Sequence, residues 1–411
     1  METVSAKAGS PRSSFLAALA KTQTAFGRSD VALKRTRGEV TFSFNRDASQ
    51  QASPALRQFA LRRRLAPLRA WLKAEEDFIA RHGFFDPVAV SVDCVDPEIV
   101  ACQPKSDEAR IFRYFATYLS LPAETDTARV GKYLVFDRGQ AQRQLIGLIG
   151  LRSPSYFNAV RDKHLGWPPY FQARDTGRVR DQGAFDLRNA GLKSIYQLAA
   201  CMPLATYGET LQGGRLLASL SFAPSVISTL ESRYGNPILG LITTGGWGGS
   251  AAQYERIHIA TGAKESDGAK LFRRIKGDNP SRYAPIDLFP DRLCALAIEM
   301  LANKHWNTDA YANYKDDPDA KHALLHRACR HVGLHSSVLS TNTISHYFGA
   351  VSEECRASLA TLASLAKTPA NRTVDPQRGI ASWRRSVKVA GVSEKSQPRL
   401  SSLASRSTRI G

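Results

Sequence analysis

Two apolar runs constrain this chain most, Lys132-Tyr133-Leu134-Val135-Phe136 and Gln144 to Leu151, separated by a connection that begins Asp137-Arg138-Gly139-Gln140. Short apolar runs on either side of an Asp- and Gly-containing connection predict a β-hairpin with a long loop. Next comes a helix from Ser155 to His164, ended by Gly166-Trp167-Pro168-Pro169, and then a third apolar run, Ile195 to Leu204. Gly213-Gly214 precedes the apolar stretch Leu216 to Leu220, and a helix over Pro224 to Tyr234 is stopped by Gly235-Asn236-Pro237. Ile238 to Thr243 predicts a fourth strand, followed by the glycine-rich loop Gly245 to Ser250 and a further strand over Tyr254 to Ala260. Strands alternating with helices in this way predict an α/β core with a mixed central sheet of about five or six strands. It is expected to span residues 126–265.

The flanks read differently. Residues 1–50 are rich in Ser, Ala, Thr and basic side chains, which predicts a disordered leader, with Val40 to Phe44 able to pair as a short strand. Residues 51–125 predict a helical region. Ser53-Pro54 suits a helix start, Pro67 a break, and Asp107 to Ser120 a second helix. Helical periodicity returns at 288–303, 317–332 and 351–366, which predicts a helical C-terminal subdomain over 266–366. Residues 367–411 carry too few apolar groups for a core and predict a second disordered basic tail.

The formal net charge of +19 is unevenly placed. Residues 1–82 hold 15 Lys and Arg against 7 Asp and Glu, a net of +8, and residues 367–411 hold 10 against 2, again +8. The middle of the chain is therefore near neutral. Basic arms of this kind bind polyanions through phosphate contacts and counterion release, which points to nucleic acid as a partner. The longest apolar candidate for a membrane span, Leu145 to Leu151, falls far short of the roughly 20 residues a span needs. The six cysteines include no CxxC pair, which suits reduced thiols and a cytoplasmic location.

An ordered series of short motifs resembles the DruA family of Druantia anti-phage systems. The series runs from Tyr133–Leu151 through Arg161-Asp162 with Gly166-Trp167, then Gly213-Gly214-Arg215-Leu216-Leu217-Ala218 and Arg233-Tyr234-Gly235. It ends with Thr243-Thr244, Gly249-Ser250 and Tyr254-Glu255-Arg256. It covers residues 110–350. Two positions depart from the family pattern: His164 stands where a tryptophan is usual, and Ser250-Ala251-Ala252 where a serine pair precedes the tyrosine. The resemblance implies a part in phage defence or mobile-element biology, beside other proteins such as a helicase. It implies no catalytic mechanism.

The glycine pair is the first candidate site. A glycine turn between a strand and a helix start presents free backbone N–H groups to phosphate. Gly213, Gly214 and Arg215 are therefore expected to bind phosphate. The arrangement is similar to acetyltransferases of the GNAT type, whose fold and acetyl-CoA ligand it would imply; no cofactor is assigned on sequence. The same stretch lacks the Lys-Ser/Thr pair of a P-loop, so no ATPase is expected. Arg161, Asp162, Thr243, Thr244, Trp247, Ser250, Tyr254 and Arg256 form a second set of candidates. Arg161-Asp162 reads as an ion pair, and Trp247 as a ring that could stack on a base. His322, His326 and Cys329, at i, i+4 and i+7, have zinc-ligand spacing, but no paired cysteines or carboxylate cluster accompanies them and no metal is assigned. Three functions stay open: a nucleic-acid-associated defence component, a coenzyme A-dependent acyltransferase, and a nuclease or transposase-like accessory.

Overall fold

The structure is a computed structural model. It describes residues 1–45, 54–82, 90–119, 129–156, 158–169, 171–174, 177–204, 207–208, 211–245, 252–259, 269–275, 281–283, 286–302, 308–340, 342–352, 355, 357–359 and 376–389. In chain order the elements begin β1 (Glu2–Lys7), α1 (Pro11–Ala25), β2 (Val31–Thr36), β3 (Glu39–Phe44), α2 (Pro54–Leu65), α3 (Arg69–Ala80), β4 (Pro97–Ala101) and α4 (Asp107–Ala116). The middle holds β5 (Val130–Asp137), β6 (Gln144–Arg152), α5 (Ala159–His164), β7 (Phe171–Arg174), β8 (Gly177–Arg180), α6 (Gln182–Lys193), β9 (Ile195–Pro203), α7 (Gly213–Leu220), α8 (Pro224–Tyr234) and β10 (Gly240–Gly245). Then follow α9 (Ala252–Glu255), β11 (His258–Ile259), β12 (Ala269–Lys270), β13 (Arg273–Ile275), β14 (Ser281–Tyr283), α10 (Asp291–Ala302), α11 (Pro318–His331), β15 (Asn342–Ala350) and α12 (Pro376–Val389). No described helix is long and apolar enough to cross a membrane.

The chain divides into two units. The first comprises Met1–Pro67, Gly245–Gly249 and Asp278–Ser345. Its antiparallel sheet has the order β1-β3-β2, with α1, α10 and α11 supplying apolar faces. The expected disordered leader is thus corrected: residues 1–45 fold. Val40, Phe42 and Phe44 alternate inward along β3, and Phe15, Leu16 and Leu19 bury one face of α1. Ser10 caps that helix by accepting from the Ser13 amide at 3.2 Å. These few apolar groups complete a core only because Leu293, Ala297, Leu324 and Leu325 join them from hundreds of residues away.

The second unit comprises Leu68–Thr244, Ser250–Gly277 and His346–Gly411. The central sheet runs β13-β15-β10-β9-β6-β5-β4, so the expected α/β class with a mixed sheet stands. β4, β5, β6 and β9 pair antiparallel, including the expected β5–β6 hairpin, whereas β9 and β10 pair parallel. Helices α7 and α8 make the crossover between the parallel strands, as such a connection requires. Two expectations are corrected here. Tyr254 to Ala260 is not one strand: it gives the end of α9 and the two-residue β11. The expected C-terminal tail contains α12, whose Ile380, Trp383 and Val387 recur on one face and are buried. Trp383 Nε1 donates to the Leu211 carbonyl at 2.7 Å, and Arg384 donates to the carbonyls of Val92 and Val95. The predicted helical subdomain is likewise divided, since α10 and α11 belong to the first unit while His346 to Ala350 of β15 enter the central sheet.

Candidate functional site

The parallel strands β9 and β10 stay in register only over Ile195–Gln197 and Gly240–Ile242. Beyond that, the Thr243 hydroxyl donates to the Leu198 carbonyl at 2.9 Å, a side chain taking over where backbone pairing stops. Tyr254, from α9, fills the space between the strand ends. Its phenol is hydrogen-bonded with Thr243, Gln253 and Cys201. Its ring packs 5.3 Å from Phe272 and 5.4 Å from Tyr347. Burial pushes the Tyr254 phenol well above its ordinary value, with the nearby Cys201 adding to the shift. Burial also pushes the Cys201 thiol up to about 12. Both groups therefore stay protonated at neutral pH, and neither is an activated nucleophile. The thiol donates to the Gly214 carbonyl at 3.5 Å, linking β9 to the start of α7.

Helix α7 begins at Gly213, so the glycine pair expected to precede the helix forms its first turn. Gln212 takes the left-handed conformation just ahead of it, at φ 52°. Gly213 and Gly214 are both buried against the protein's own atoms. A Cβ on Gly213 would lie 2.3 Å from the Tyr207 carbonyl oxygen, and one on Gly214 would lie 2.6 Å from Gln253 Oε1. Glycine at both positions is thus accounted for by close packing alone. Arg215 is half-buried at the same helix start, and its guanidinium is held below its ordinary value by burial and by the charge of Arg256. Arg256 is exposed. Two like charges near a positive helix end favour an anion, because an oxyanion relieves both their repulsion and their desolvation.

The fold therefore gathers Gly213, Gly214, Arg215, Thr243, Tyr254 and Arg256 at the carboxyl ends of β9 and β10, the region where open α/β sheets carry ligands. Thr244 follows Thr243 on β10 and is half-buried. Trp247 and Ser250 lie outside the described residues. Arg161 and Asp162 join a different cluster. Arg161 is fully buried, donating from Nε to Asp162 Oδ1 at 2.7 Å and from Nη1 and Nη2 to the carbonyls of Ser155 and Tyr156. Arg188 Nη2 reaches Asp162 Oδ2 at 2.9 Å from α6. Burial pulls the guanidinium of Arg161 down and pushes the Asp162 carboxyl up from their ordinary values, each opposed by the other's charge. The Arg161 side chain sits 5.5 Å from the Trp167 ring, whose Nε1 donates to the Leu359 carbonyl. The ion pair read from sequence is present, and its position is that of a buried brace.

His346 and Tyr347 connect the two clusters through β15. Neighbouring strand residues face opposite sides of a sheet. Accordingly, Tyr347 packs on Tyr254 and donates to Glu255 at 2.8 Å, while His346 has its imidazole pKa lowered by burial and by Arg161. Sequence reasoning missed Asp137, which is fully buried at the end of β5. Its carboxylate accepts from the amides of Asp96 and Gly139, from Gln140 Nε2 and from the Tyr207 hydroxyl, all at 2.7–2.9 Å. An Asp closing an apolar strand before Arg-Gly is the signal the sequence offers, and local turn chemistry accounts for it equally well.

Residues 48–178 match the family described as Druantia protein DruA. A protein of that name from Escherichia coli (strain UMEA 4076-1) is 26% identical over 186 residues, which cover 45% of this chain and 40% of that protein. No solved structure matches the chain significantly. The family match takes in β4, β5, β6 and the Arg161–Asp162 pair; the cluster from Gly213 to Arg256 lies beyond it. On these two matches the segment 48–178, with the buried Arg161–Asp162 pair inside it, is similar to the DruA family, and the aligned stretch spans less than half of the relative's length.

Proposed function

We propose that the chain is a component of a Druantia-like anti-phage defence system, acting on or beside nucleic acid together with partner proteins such as a helicase. The segment similar to the DruA family carries this reading. The association with nucleic acid draws support from the net charge of +19 and from the approach of Arg215 to Arg256 at the start of α7. In the described residues of that site, buried thiol and phenol groups offer no acid–base pair, which favours anion binding over covalent chemistry. The test is phage challenge of cells carrying the complete defence system with Arg215→Gln and Arg256→Gln. The double variant is expected to lose protection while retaining the wild-type melting temperature. Full protection by the double variant removes this site from the function.

One observation favours a second reading. Four antiparallel strands followed by a parallel pair whose crossover helix begins at Gly213 is the arrangement that suits a GNAT-type acyltransferase with acetyl-CoA. Against it, Tyr254 and Gln253 occupy the space beside Gly214 where a pantetheine or pyrophosphate would enter. Adding acetyl-CoA should leave the melting temperature unchanged on the defence reading; a saturable rise supports the acyltransferase.

A further inference from the structure

Helix α11 divides its residues between two environments. Leu324, Leu325, Ala328 and Cys329 are fully buried in the core of the first unit. The opposite side presents exposed His322, Arg327 and Arg330, with His326 and His331 half-buried. With Tyr311 and Ala323 these side chains line a groove of about 590 Å³, and none of its described lining residues is acidic. His322, His326 and Cys329 follow one helical stripe, but the Cys329 side chain is buried in the core while His322 is exposed, and among the described residues the three form no group that could hold a metal ion. Burial holds the Cys329 thiol far above the ordinary value.

The groove combines two kinds of recognition element. Arg327 Nη1 donates to the Tyr311 hydroxyl at 2.9 Å, which fixes one guanidinium at the rim, and Arg330 stands one turn further along. The same lining holds two imidazole rings, of His322 and His326, with centroids 4.1 Å apart. The imidazole of His326 is pushed down to about 4, by burial first and then by the positive fields of His322, Arg330 and His335. At neutral pH His326 thus contributes an uncharged aromatic face within a cationic groove. Guanidiniums suit phosphates, and flat uncharged rings suit bases. An acidic peptide would use the charges and leave the rings without a role.

We infer that the His322–His326–Arg327–Arg330 face of α11 is a nucleic-acid-binding surface that holds a single strand by its phosphates and stacks on its bases. It rests on the proposed association with nucleic acid and names a surface separate from the Arg215–Arg256 pair. Its test uses the full-length chain, a fluorescein-labelled single-stranded DNA oligonucleotide and anisotropy over a salt series. His322→Gln with Arg330→Gln alters two exposed side chains and should leave the fold intact, as a melting curve will verify. The double variant is expected to bind about tenfold more weakly, with the slope of log affinity against log salt reduced by about one. Arg292→Gln, an exposed change on α10 in the same unit and outside the basic arm, should bind within about twofold of wild type. Wild-type affinity and salt slope in the double variant overturn the site while leaving the broader reading in place. A wild-type chain that binds no DNA overturns both. Displacement of DNA by polyglutamate, with binding of the polyglutamate itself lost in the double variant, reassigns the face to an acidic protein and overturns the inference.

Discussion

The Tyr207 phenol donates a 2.7 Å hydrogen bond to Asp137 Oδ2, and both residues are buried. The bond ties the approach to α7 to the end of β5, two pieces of chain 70 residues apart. Burial and the Asp137 carboxylate together keep the phenol protonated, so it serves as a donor throughout the physiological range. Tyr207→Phe should lower unfolding free energy by about 2 kcal/mol, since a buried carboxylate loses one of its four donors. Chemical denaturation measures this directly, and an unchanged midpoint would show that the remaining three donors suffice.

The two glycines at the start of α7 should respond differently to a single added methyl group. Gly213→Ala drives Cβ against the Tyr207 backbone carbonyl, which cannot move without its loop, and should cost about 3 kcal/mol. Gly214→Ala meets the far end of the flexible Gln253 side chain and should cost under about 1 kcal/mol. Comparing melting temperatures of the two variants checks the contrast. Phage protection measured beside them then separates a ligand role of Gly214 from packing.

Removing the Trp383 side chain should unseat α12. Trp383 is only 2% exposed and holds the Leu211 carbonyl. Trp383→Ala is expected to destabilise the second unit by about 3–5 kcal/mol. Hydrogen exchange should show lost protection in α7 as well as in α12, because Gly379 packs on Ser219. Protection confined to its wild-type pattern would show that the helix is dispensable.

Stability should also depend on pH through His326. Its folded pKa of about 4 lies below the ordinary value of 6.5, so between those limits the unfolded chain binds more protons than the folded one. The stabilisation is complete above about pH 6.5 and is lost as pH falls toward 4. Because the ring is only half-buried and solvent screens its charge, the loss should be only about 1 kcal/mol. His322, Arg330 and His335 supply the opposing charges, so His326→Gln should flatten that part of the stability profile.

The sequence by itself determined the β5–β6 hairpin, the end of α8 at Gly235 and the Arg161–Asp162 pair. Each depends on neighbours in the chain: turn residues between apolar runs, or adjacent opposite charges. It also identified six residues that meet at the ends of β9 and β10. Only the tertiary structure decided what those residues face. Gln253 and the Tyr207 carbonyl close on the glycines, and Tyr254 plugs the split between the strands. The folded leader and α12 were illegible for the same reason. Phe42, Phe44 and Trp383 are too sparse in their own segments to announce a core, and they become buried only against Leu293, Leu324 or Leu211, contributed from far along the chain. Local periodicity records which way a side chain points; burial depends on what arrives from elsewhere to cover it.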